Sequence, residues 1–159
     1  MDFFYDLITN YWLASVICAW LVAQILKVFT GVFRQREFSV RAMLFGNGGM
    51  PSSHTAAVVA LATSIAVTEG IGSMAFAIAA LFAIVVMNDA IGVRRETGKH
   101  SKALNQILEN KMEKNEKTEP LELFKELIGH SPLQVFFGLL TGVAVALLMS
   151  LIPAFGVAW

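Results

Sequence analysis

Cysteine occurs once in this 159-residue chain, proline four times and tyrosine twice, and charged residues make up only 15% of it. A single cysteine, Cys18, can form no internal disulfide, and inside an apolar run it reads as one more small buried side chain. So little charge in a chain that is 56% hydrophobic, with a mean hydropathy of +0.63, excludes an ordinary soluble domain. Twelve Lys and Arg are offset by twelve Asp and Glu, so the chain as a whole carries no excess charge for a polyanion, and no nucleic-acid partner is expected. The start of the sequence lacks a basic stretch and a small-residue cleavage site, which predicts a retained first helix rather than a removed signal peptide.

What the chain has instead is four long apolar runs, at residues 13–33, 55–68, 71–87 and 133–153. A bilayer core about 30 Å thick takes about 20 helical residues, so the first and last runs span it, while the second must borrow Ser52, Ser53, His54 and Glu69. The expected architecture is all-α, a single membrane domain over residues 1–159 with about four transmembrane helices. If all four runs cross, all twelve Lys and Arg and all three His fall on one side, leaving Asp2, Asp6 and Glu69 on the other. Loops rich in Lys and Arg stay in the cytoplasm, so the expected location is a bacterial cytoplasmic membrane with both termini outside and both large loops, 34–50 and 92–130, inside.

Residues 96–129 are the one stretch of low hydropathy, a charged cytoplasmic insertion. Six of the twelve acids lie between Glu109 and Glu126, and 109–120 is expected to be a linker without chemistry. A short amphipathic helix at 102–108 would suit the membrane surface.

Chemistry gathers at the charged side. Gly46, Asn47, Gly48, Gly49, Met50, Pro51, Ser52, Ser53 and His54 join a Gly-rich loop to hydroxyls and an imidazole directly before an apolar run. A helix starting there aims free N–H groups at an anion, although Pro-Ser-Ser-His can equally serve only to start and cap a helix. Lys27 and Arg34, about two helical turns apart, share one side of the first helix end, as phosphate ligands or as snorkelling interfacial cations. Asp89 closes the third run beside Arg94 and Arg95; an acid at membrane depth is costly unless paired, so it should meet Arg94, Arg95, Lys27 or a His. His130 opens the last run.

Taken together these residues resemble the type 2 phosphatidic acid phosphatase superfamily, which includes the vanadium haloperoxidases, and in particular its short, divergent bacterial and plant branch. Lys27 and Arg34 fit the Lys-x6-Arg of its first motif, with Gln35 in place of Pro; Pro51, Ser52, Ser53 and His54 fit Pro-Ser-Gly-His with Ser53 for Gly. His130 and Gln134 fit the His-x3-Asp of the third motif, with Gln134 for the acid and Phe124 where its Arg is expected. Gly48–His54 and the stretch 88–99 look like the divergent branch itself.

The resemblance implies hydrolysis of a lipid phosphomonoester or diphosphate through a phosphohistidine, with no metal and no cofactor. His130 would be the nucleophile, preferred to His100, and His54 the general acid. Lys27, Arg34, Gly49, Ser52, Ser53, Arg94 and Arg95 would hold the phosphate, and Asp89 would stand in for the missing acid. The rival readings are a non-catalytic lipid-phosphate binder or translocator, and a structural membrane subunit. Gly138 and Gly142 on the last run fit either homodimerisation or packing within one chain.

Overall fold

The computed structural model describes residues 5, 7–32, 50–113 and 131–157. Among them the chain forms five α-helices: α1 (Tyr11–Val32), α2 (Ser53–Glu69), α3 (Met74–Ile91), α4 (Val93–Glu113) and α5 (Pro132–Ser150), followed by a 3-10 turn at Pro153–Phe155. No strand occurs among the described residues.

The four apolar runs become α1, α2, α3 and α5, with ends fixed by local chemistry. Ser52, Ser73 and Ser131 each cap a helix by accepting a backbone N–H three residues on, and Gly70, at φ 81°, ends α2 in a backbone region that only glycine enters freely. At the far end of the bundle the Tyr11 hydroxyl donates to the Ala146 carbonyl at 2.8 Å, and the Trp12 indole N–H donates to Thr68 Oγ1 at 2.8 Å. At the near end Lys27 reaches Ser53, and the Ser52 N–H donates to the Gln134 carbonyl at 3.0 Å. These pairs make α1 antiparallel to α2 and α5, and α2 parallel to α5.

Packing is inverted relative to a water-soluble bundle. Ala19, Ala23, Ala56, Ala60, Val145 and Ala146 form the core, while Ile17, Leu21, Ile25, Phe29, Ile78, Leu81, Phe82, Leu140 and Leu148 are exposed. Small residues inside let backbones approach, and large apolar ones outside meet lipid, which is the arrangement a bilayer selects. Among the described residues, three helices are long and apolar enough to cross a membrane: Tyr11–Thr30, a span within Met74–Asn110, and Pro132–Ser150. α2, at 17 residues, falls short of that length, yet it lies at the centre, packed against α1, α3 and α5. Its weak apolarity has a physical reason: it faces other helices more than lipid. The glycines of α5 are consumed here. A Cβ on Gly138 would lie 2.6 Å from the Ser52 carbonyl oxygen, and one on Gly142 would lie 2.5 Å from that of Ala56.

One element differs in extent from the sequence expectation. Instead of a short helix at 102–108 there is α4, 21 residues starting two positions after α3 ends. Lys99 bonds Glu96 one turn back at 2.7 Å, and the Thr97 and Ser101 hydroxyls donate to carbonyls four residues earlier. Such i,i+3 and i,i+4 support extends a helix through a sequence too polar to show it by hydropathy.

Candidate functional site

Lys27 sits on the last turns of α1 in line with Tyr11, Ser15, Ala19 and Ala23, one residue every four, so the buried stripe of the helix ends on a cation. It is only 8% exposed. Its Nζ donates to Ser53 Oγ at 3.1 Å, and among the described residues no carboxylate pairs with it. A buried ammonium whose visible partner is a neutral hydroxyl is an electrostatic demand for an anion.

The turn before α2 is held from three sides. Thr30 Oγ1 donates to the Met50 carbonyl at 2.6 Å, the Ser52 N–H bonds to Gln134, and the Ser52 hydroxyl accepts from the N–H and the hydroxyl of Thr55. Ser52 and Thr55 are fully buried. The Ser52 side chain therefore acts as the cap of α2, whereas Ser53 faces Lys27. The N–H groups of Ser53 and His54 belong to the first turn of α2, where no helical carbonyl precedes them. His54 is exposed, and both Lys27 and Arg94 lie near enough to act electrostatically on its imidazole.

Arg94 is brought there by the break between α3 and α4. Gly92 separates the helices with a non-helical backbone, and a Cβ on it would meet the Asn88 carbonyl at 2.9 Å. Across this break Arg94 Nε donates to Asp89 Oδ2 at 2.5 Å, so the acid at the end of α3 has its cation. Arg95 is exposed one position on, and His100 is exposed farther along α4. Of the expected site residues, Lys27, Ser52, Ser53, His54, Asp89, Arg94 and Arg95 thus gather at one end of the bundle. Arg34, Gly49 and His130 lie outside the described residues.

Gln134 has a role that motif matching hides. Its Oε1 accepts the Ser131 N–H at 2.8 Å while Ser131 Oγ accepts the Gln134 N–H, a reciprocal box that closes the start of α5. The spacing Ser-x-x-Gln was readable as that box. Thr30 and Thr55, which fix the turn, were also missed, and neither stands in a spacing that signals the role. Among the described residues no group of three His, Cys, Asp or Glu converges as a metal site would require.

The sequence profile of the Divergent PAP2 family matches residues 8–145. The chain belongs to that family. The match runs from before α1 into α5, so this divergent PAP2 protein carries the family's sequence through every element that builds the site. It is also 37% identical to the uncharacterized membrane protein YuiD of Bacillus subtilis (strain 168), over 91% of this chain and 97% of that one. That similarity and the three apolar helices make the divergent PAP2 chain an integral membrane protein. No solved structure matches it.

Proposed function

We propose that this protein is a membrane lipid phosphate phosphatase that hydrolyses a lipid phosphomonoester or diphosphate at the cytoplasmic face. The observation that carries the reading is the buried Lys27 ammonium, held on Ser53 at the N-terminus of α2 beside His54 and Arg94. An anion entering there meets a desolvated cation, two first-turn N–H groups and a guanidinium, the donors that stabilise charge on a transferring phosphoryl group. Membership of the Divergent PAP2 family supports a phosphatase-like role.

In this reading a nitrogen of the His130 imidazole attacks phosphorus, the bond from phosphorus to the lipid oxygen breaks, and His54 gives that oxygen a proton. Water then attacks the phosphohistidine, His54 takes its proton, and inorganic phosphate leaves. Lys27, Arg34 and the backbone of Ser53 hold the phosphate throughout. No metal or cofactor enters the scheme.

A second reading, a lipid-phosphate binder or translocator, is favoured by Gln134. The side chain standing in place of the motif acid is engaged in capping α5, and Asp89 is paired with Arg94. An imidazole without an orienting acid loses orders of magnitude in rate, about 10⁴ for the analogous change in a serine-protease triad. Phosphate release from a panel of lipid phosphates by detergent-purified wild type, His54→Ala and His130→Ala, without added metal, separates the two. Release by the wild type that is lost in both variants is expected. No release by a folded wild type that still binds orthovanadate means a binder.

A further inference from the structure

Among the apolar faces of the described residues, one lies outside the four-helix packing and beside charge. One stripe of α4, in helical register, carries Val93, Thr97, His100, Leu104 and Ile107, all exposed, the three apolar ones by 66%, 46% and 54%, while Gly98, Ser101, Asn105 and Leu108 on the adjoining face are more covered. The remaining surface of its first four turns carries Arg94, Arg95, Lys99 and Lys102 against the single acid Glu96. α3 has 18 residues and is about 27 Å long at 1.5 Å per residue, close to a bilayer core of about 30 Å. Since only Gly92 separates the two helices, the start of α4 is fixed at the depth of the lipid headgroups.

We infer that α4 is an interfacial helix that seats Val93, Leu104 and Ile107 at the headgroup–acyl boundary of an anionic membrane surface. The occupant of this face is lipid, for two reasons. The helix follows a membrane-spanning one after the single residue Gly92, and its cationic excess matches acidic headgroups. Long Lys and Arg stems on its flanks lie along the apolar boundary while their heads reach phosphate oxygens. Because the cations cluster in the half next to α3, where the membrane is nearest, their attraction acts where the helix is already anchored. The acids begin again only at Glu109.

The test uses the full-length protein with Cys18→Ala, carrying a nitroxide at Leu104, Ile107, Gln106 or Asn110, reconstituted in phosphatidylcholine vesicles with or without phosphatidylglycerol. Collision with oxygen and with a water-soluble nickel chelate reports depth. In vesicles containing phosphatidylglycerol, Leu104 and Ile107 should be several-fold richer in oxygen contact and poorer in nickel contact than Gln106 and Asn110. The contrast should fall in pure phosphatidylcholine and in Lys99→Gln/Lys102→Gln protein. Nickel contact at Leu104 and Ile107 equal to that at Gln106 would place the helix in water and end the proposal. Shielding of Leu104 and Ile107 from both reagents would mean a protein occupant, a second copy or another chain, and would overturn it. Equal contrast with and without phosphatidylglycerol would refute the dependence on acidic lipid. None of these readouts depends on phosphatase activity.

Discussion

Lys27 concentrates the argument at the scale of single residues, because it separates binding from folding. A buried cation with a neutral partner adds little or nothing to stability, since desolvation of the charge opposes its one hydrogen bond. Lys27→Met keeps the length and the apolar stem of the side chain while removing the charge. Its thermal unfolding midpoint should stay at or above that of the wild type, whereas orthovanadate binding should weaken about 10- to 100-fold, the loss of one charge-assisted bond worth about 1.5–3 kcal/mol. Isothermal titration alongside a melting curve checks both. Unchanged vanadate affinity in a folded variant would remove Lys27 from any anion site. Ser52 and Gln134 carry the opposite lesson. Each stands at a motif position, Ser52 matching it and Gln134 replacing its acid, and each is engaged in capping a helix, so a place in a motif and a free functional group are separate facts.

At the scale of elements, the contact between α2 and α5 is the tightest constraint. Gly142 admits no Cβ without a collision at 2.5 Å with the Ala56 carbonyl and at 3.0 Å with Val59 Cβ, none of which is the end of a flexible side chain. Gly142→Ala should destabilise the protein by about 1–3 kcal/mol through overpacking, visible as a lower melting midpoint in detergent. Gly72→Ala, whose added Cβ meets nothing within 4 Å, should leave the midpoint unchanged. Equal midpoints for both variants would mean that α5 shifts freely on α2. Helices α1, α3 and α5 were legible in the sequence, because continuous apolar runs have one outcome in lipid. α2 was legible but thinly, since a helix enclosed by other helices needs less apolarity than one facing lipid. The full length of α4 was not, because its first turns are polar and are held by Lys99–Glu96 and by hydroxyl-to-carbonyl bonds rather than by burial. That Lys27 and Ser53 lie at the same end of the bundle was foreseeable from the charge partition, though their hydrogen bond was not; the capping role of Gln134 was masked by reading the position against an expected acid.

For the whole molecule, the ends of the bundle are chemically unlike. One carries Lys27, His54, Asp89 and Arg94; the other has Asn10, Trp12, Thr68 and Phe155 around a cleft of about 440 Å³, with the Tyr11 and Phe155 rings 5.9 Å apart. Under the proposed orientation the end with the cations faces the cytoplasm, as the bias of Lys and Arg toward that side requires. In the Cys18→Ala background, a cysteine at Gly72 should react with an impermeant maleimide in intact cells, and one at Asn110 only after lysis. The reverse pattern would turn the proposed cytoplasmic site outward.

The central position of α2 also constrains how the protein is made. When α2 leaves the ribosome, α5, whose two glycines receive it, has not yet been synthesised. A segment with so many Ser, Thr and Ala residues partitions weakly into lipid alone, so it must wait at the insertion machinery or shelter against α1 through the Trp12–Thr68 and Lys27–Ser53 contacts. Completion of the bundle therefore waits for α5, and a nascent chain stalled before residue 132 would hold the turn before α2 without the helix that clamps it.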